Sequence, residues 1–259
     1  MMKYLLSFMI LVGAGVYLPL STFAQDANSP TLQQALEAHG GYETFQQYHQ
    51  VEYDLKDWPF SQNAPLNDHQ MANLDNRHMY IKADDYEVGY NGEEAWTSDA
   101  EALGLPADFY YATPFYFFSL PFVFADPGAN VESLEPQEFE GKTYDAIRVT
   151  YGQGVGDSPD DNYVAYFHQD NHTLKLVHYV VTHPAVTQGQ SADELSRSAI
   201  VYETLQEANG LQVPQTASFY AWKDGELGEK AGTIRYENVR FSEDVPAAAM
   251  FEQSEDKQN

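Results

Sequence analysis

Residues 30–41, PTLQQALEAHGG, carry the first clear pattern: Leu32, Ala35 and Leu36 fall on one face of a helix that Pro30 opens and Gly40-Gly41 stops. A second short helical piece, 42–48, follows. From residue 50 the period changes to two and β-formers dominate. The alternation predicts strands at 50–55, 70–81, 86–90, 94–98, 131–139 and 142–151, then at 163–168, 175–182, 197–205, 215–222 and 232–241. Turn formers separate them at Asp84-Asp85, Asn91-Gly92, Glu140-Gly141, Asp170-Asn171, Asn209-Gly210 and Asp224-Gly225. Short turns between consecutive strands make an antiparallel meander, and a sheet of about ten strands curls rather than lying flat.

Alternation fails between Thr97 and Val131, where Pro106, Pro114, Pro121 and Pro127 cut the chain into pieces. Nine aromatics lie between Phe109 and Phe124. Two short helices fit, 107–112 and 115–124, the second apolar on every side. Such a helix is buried, and one this short does not span a bilayer, so its place is inside the curled sheet. The expected fold is therefore α+β: a strongly curved antiparallel sheet, a half-barrel, wrapping a central apolar helical segment, with an N-terminal helix.

Charge and composition narrow the function. Lys3, the apolar run Tyr4 to Val16 and Thr22-Phe23-Ala24 before Gln25 read as a signal peptide over 1–24, with a run too short for a comfortable span. A polar leader (25–29), a single domain (30–250) and an acidic polar tail (251–259) follow, with no repeat of fixed period. The expected location is periplasmic or secreted, and the expected state monomeric. The chain has no cysteine, which excludes lipidation at an N-terminal Cys, disulfides and thiolate chemistry. A formal charge of −26 repels nucleic acid and anionic lipid surfaces; it fits a saline habitat or an attraction for cations.

The segments ALEAHGGYETFQQYHQVEYDL, GYNGEEAW, PFYFFSLPFVFADPG, GKTYDAIRVTYGQGVGDSPDDNYVAYF and NGLQVPQTASFYAW resemble a family of secreted bacterial proteins similar to the LolA/LolB-like half-barrel superfamily of periplasmic lipoprotein carriers. The resemblance covers nearly all of the chain after the signal. It implies a sheet wrapped round a helix, with a concave apolar surface that holds acyl chains. Two departures stand out: no Cys for lipidation, and far more acid than a carrier docking basic partners needs.

Within that frame Phe115, Phe117, Phe118, Leu120, Phe122 and Phe124 either line a pocket for an apolar ligand or fill the barrel as core. Trp96, Tyr220 and Trp222 extend such a pocket only if their strand faces are concave. Asp126 sits in a helix-ending ADPG turn. Asp157, Asp160 and Asp161 in GQGVGDSPDDNY either gather a hard cation or belong to a capped turn. His39 is placed to satisfy a last helix carbonyl, and His168 and His172 flank a turn at a spacing that constrains little. No HExxH, GxSxG or Ser-x-x-Lys pattern is present. The expected function is non-catalytic binding of a lipid-like molecule, without cofactor. The alternatives are an envelope module that binds a protein partner through a filled barrel, and a hydrolase with an acidic cleft.

Overall fold

The computed structural model describes residues 29–152, 161–183, 187 and 194–253. The signal-peptide segment, Asp157, Asp160 and most of the acidic tail lie outside the described residues. The leading helix α1 (Pro30–Ala38) starts where expected: Ser29 Oγ accepts the Leu32 amide at 3.3 Å, and Leu32, Ala35 and Leu36 are buried. A single turn, α2 (Tyr42–Phe45), leads into the sheet.

Among the described residues there are twelve strands in one antiparallel sheet. They are β1 (Gln50–Trp58), β2 (Leu66–Asn73), β3 (Met79–Lys82), β4 (Glu87–Tyr90), β5 (Ala95–Thr97) and β6 (Ala129–Phe139). The second half comprises β7 (Lys142–Tyr151), β8 (Asn162–His168), β9 (Leu174–Val180), β10 (Arg197–Ala208), β11 (Leu211–Lys223) and β12 (Glu226–Ser242). Their order is β5-β4-β3-β2-β1-β12-β11-β10-β9-β8-β7-β6, so the meander closes on itself only at β1–β12, and β5 and β6 are the edges. The strand expected over 70–81 is two. Asn73 Oδ1 accepts the Asp75 amide at 2.9 Å and Arg77 adopts a φ of 64°, which reverses the chain between β2 and β3.

Between β5 and β6 lie α3 (Ala100–Leu103), α4 (Ala107–Tyr110), α5 (Thr113–Phe118) and a 3-10 turn, Phe122–Ala125. The single helix expected over 115–124 is thus broken. Pro121 has no N–H to give the carbonyl of Phe117 and disfavours helical geometry at Leu120. Two tyrosines from the sheet compensate. Tyr202 on β10 donates its hydroxyl to Phe117 O at 2.9 Å, and Tyr236 on β12 donates to Pro114 O at 3.1 Å.

Alternation sorts each strand into two faces. Tyr53, Val149, Phe167, Ile200, Phe219 and Tyr236 point inward and pack round the inserted segment. Opposite them, Tyr144, Val164, Tyr166, Leu176, Val201 and Trp222 form a second, smaller cluster on the outer face, joined by Phe139 from the end of β6. A buried polar network pins α4 to the inner face: Asp68 accepts hydroxyls from Tyr110 at 2.5 Å and Tyr86 at 2.6 Å, and Gln70 links it to Tyr53.

His39 does not serve the end of its own helix. Its fully buried ring spans two strands, with Nδ1 2.7 Å from Gln212 O and Nε2 accepting the Leu174 amide at 3.1 Å. The packed domain also continues past residue 250, because Phe251 is fully buried and its carbonyl accepts the indole N–H of Trp96 at 2.9 Å.

Candidate functional site: an aromatic cleft beside an ion pair

The inserted segment does not fill the half-barrel completely. A cleft of about 430 Å³ remains between α4, α5, the 3-10 turn and the ends of β7, β8 and β9. Rings make most of its wall: Tyr90, Phe109, Tyr111, Phe115, Tyr116, Phe117, Tyr151 and Tyr163, with Met79, Val123 and Val181 between them. Tyr90 stacks on Tyr111 at 4.2 Å, and Tyr116 packs against Tyr163 at 4.9 Å. These rings hold one another in place, so the cavity is shaped before any ligand arrives.

Polar groups enter the wall at several places, Asn76, Asp108, Thr113 and His183 among them. At one end Arg77 donates Nη2 to Asp126 Oδ2 at 2.5 Å, and Tyr42 donates to Asp126 Oδ1 at 3.3 Å. The guanidinium lies 5.5 Å from the centre of the Phe115 ring, while its Nη1 is buried without a hydrogen-bond partner. A second cleft of about 400 Å³, lined by Tyr42, Gln46, Tyr48 and Asp75, shares Arg77 and Asp126 with the first, so the ion pair forms part of both walls. Burial raises the Asp126 carboxyl above its usual range, against the opposing pull of Arg77. Elsewhere in the wall the hydroxyls of Tyr116 and Tyr151 are paired, 2.7 Å apart.

Asp161 lines the cleft but is fully engaged. Its carboxylate accepts the Thr182 amide at 2.6 Å, the Thr182 hydroxyl at 2.7 Å and the Tyr163 hydroxyl at 2.8 Å. It ties the start of β8 to the chain after β9. Burial again raises its pKa. Among the described residues, no three His, Asp or Glu side chains gather into a set able to hold a metal ion.

The expected pocket residues divide into three groups. Phe115 and Phe117 line the cleft. Phe118, Leu120, Phe122 and Phe124 are core: Phe118 stacks on Tyr53 at 4.4 Å and Phe122 on Phe45 at 4.5 Å. Trp96, Tyr220 and Trp222 are on the wrong side of the sheet. Trp96 covers Gly89 on the face opposite Val88, and Trp222 stacks on His178 at 4.7 Å in the outer cluster, with Tyr220 beside it. Strand register puts these three outside, since neighbours in a strand point to opposite faces.

The histidines do not converge. His178 accepts from Arg197 Nε at 3.0 Å on the outer face, and burial with Arg197 beside it brings its pKa down to about 3. His168 and His172 belong to the β8–β9 turn, where the His172 amide donates to His168 O at 2.8 Å. Only His183 reaches the cleft, its ring 5.5 Å from Phe109.

Sequence reading missed Arg77, Tyr90, Tyr151 and Tyr163, and it left Phe109, Tyr111 and Tyr116 out of the candidate lining. Tyr151 and Tyr163 were within its reach, because alternation sets Tyr151 with Val149 and Tyr163 with Ala165 on the inner face. No local pattern marked Arg77, which sits in a turn and meets Asp126 across 49 residues.

No family model matches the chain, and no curated protein sequence does. Among solved structures it is similar to a DUF1329 family protein from Desulfovibrio piger, at 12% identity over 86% of this chain and 96% of that one, with a TM-score of 0.48. It is also similar to a LolA superfamily protein from Nitrosomonas europaea, at 12% identity over the same shares, with a TM-score of 0.44. The open sheet folded round an inserted helical segment agrees with the half-barrel architecture expected from the sequence.

Proposed function

We propose that this protein binds an apolar, lipid-like molecule in the aromatic cleft, without chemistry on it, outside the cytoplasm. The observation that carries the reading is the cleft itself: a space of about 430 Å³ whose wall is made mostly of aromatic and apolar side chains, eight of them rings. Binding pockets for small apolar ligands have this size and this composition, from about 300 Å³ upward. Affinity would come from apolar surface removed from water, so it tolerates variation along an alkyl chain and gives a negative heat-capacity change. The extracytoplasmic location rests on Lys3, the apolar run Tyr4 to Val16 and the Thr22-Phe23-Ala24 site.

The test is native mass spectrometry of protein purified from its own envelope without detergent, followed by organic extraction. A stoichiometric acyl-chain compound is the expected result. A clean unliganded mass, together with no uptake of added alkyl-chain compounds, overturns the reading.

A further inference from the structure

The wall of the aromatic cleft carries three carboxylates, Asp108, Asp126 and Asp161, against one guanidinium, that of Arg77. Arg77 is spent on Asp126, so that end is balanced and the excess of acid lies elsewhere. Asp108 is exposed, whereas Asp161 is buried. The three donors on the Asp161 carboxylate, the Thr182 amide and hydroxyl and the Tyr163 hydroxyl, are all uncharged. Neutral donors satisfy its oxygens without cancelling its charge, and burial raises its pKa in spite of them. The His183 imidazole, also in the wall, opposes that rise less than the Thr182 and Tyr163 bonds do.

Three tyrosines gather beside that carboxylate. Tyr163, which donates to it, packs against Tyr116 at 4.9 Å and meets Tyr151 edge to face at 6.1 Å, while the hydroxyls of Tyr116 and Tyr151 bond to each other. Rings inclined to one another thus make one corner of the cleft. Aromatic faces are negative and attract cations, and the same cleft already holds one in this way, the Arg77 guanidinium 5.5 Å from the centre of Phe115. The formal charge of −26 raises the local concentration of cations further. The hydrogen bonds then decide the kind of cation. A primary ammonium gives up bonds to water and needs acceptors in return, but Asp161 already takes three donors and the Tyr116 and Tyr151 hydroxyls are committed to each other. A quaternary ammonium has no N–H to satisfy and is held by ring faces and Coulomb attraction alone.

We propose that the corner formed by Tyr116, Tyr151 and Tyr163 beside Asp161 receives a quaternary ammonium group, so that the cleft selects ligands with that head over neutral and anionic ones of the same shape. This rests on the reading of the cleft as a ligand site and names the head that its apolar ligand carries. The trimethylammonium group is the shared chemistry of a lipid head and of a small free solute, and a chain on the probe tells the two apart.

The test is isothermal titration calorimetry of the full protein at neutral pH in physiological salt, which screens attraction to the outer surface. Choline and dimethylbutanol have the same shape and differ only in a quaternary nitrogen for a carbon; octyltrimethylammonium and octanoate add a chain to a cationic and an anionic head. Each cation is expected to bind as one equivalent, at least about tenfold more tightly than its counterpart. Tyr116→Leu keeps the wall apolar but removes a ring, and is expected to cut the cation advantage severalfold, with Tyr116→Phe restoring it. Dimethylbutanol matching choline, or octanoate matching octyltrimethylammonium, overturns the proposal and leaves the cleft as a lipid site. Uptake of several cation equivalents, or an advantage untouched in Tyr116→Leu, is attraction to the outer surface and overturns it too. A cation advantage with octyltrimethylammonium no tighter than choline supports the head site and overturns the lipid reading instead. Failure of all four to bind overturns both. If Tyr116→Leu does not fold, the ranking and stoichiometry on the unaltered protein decide alone.

Discussion

Tyr202 donates its hydroxyl to the backbone oxygen of Phe117 across 2.9 Å, at the point where the inserted helix ends and Pro121 offers no amide. A buried carbonyl that the helix cannot satisfy is thus served by the sheet. Tyr202→Phe keeps the ring and removes the donor, so it is expected to cost about 1–3 kcal/mol in urea unfolding. Tyr236→Phe, acting on Pro114 O inside the same helix, is expected to cost less. Equal, negligible losses for both would mean that the helix does not depend on these tethers.

Phe118 and Phe109 lie close in sequence and do different work. Phe118 is 1% exposed among Tyr53 and Tyr236, away from the cleft, so Phe118→Ala should destabilise by about 3–5 kcal/mol. Phe109 is half-buried in the cleft wall, and Phe109→Ala should weaken uptake of an alkyl probe severalfold with a much smaller loss of stability. Parallel thermal melts and probe titrations separate the two. A reversed pattern would place the ligand elsewhere.

Burial holds the His39 imidazole at about 4, against the smaller opposing effect of its bond to Gln212 O. The unfolded chain, with a pKa near 6.5, takes up the proton first as pH falls. Its contribution to stability is full above that value and declines between about pH 6.5 and pH 4, by up to roughly 1.4 kcal/mol per pH unit. His39→Gln has no proton to gain. The stability difference between the two proteins should shrink from pH 7 to pH 4.5 in denaturant titrations; a constant difference would contradict the buried neutral ring.

Trp96 lies over Gly89 so closely that a Cβ on residue 89 would overlap the indole. Gly89→Ala is expected to push the ring off the sheet, to break its bond to Phe251 O and to cost roughly 1–3 kcal/mol. Tryptophan emission should shift to the red as the indole meets water. An unchanged spectrum and melting temperature would show that β5 yields without strain. In contrast to the Phe109 variant, ligand uptake should be unaffected, because Trp96 is on the outer face.

The sequence by itself determined what depends on near neighbours. The face of α1 formed by Leu32, Ala35 and Leu36, the limits of β7 at Lys142 and Tyr151, the turns at Glu140-Gly141 and Asn209-Gly210, and the burial of the segment around Phe118 all follow from periodicity or from φ preferences. Tertiary structure decided which rings face empty space. Phe117 lines the cleft while Phe118 does not, and Trp222 turns outward while Phe219 turns inward, although each pair is alike in hydrophobicity. Arg77 and Asp126 meet only because the β2–β3 turn and the end of the inserted segment arrive at the same end of the sheet. A cavity is the volume left over when distant elements have packed. Its position is set by the register of twelve strands and the break at Pro121, and no local pattern encodes that sum.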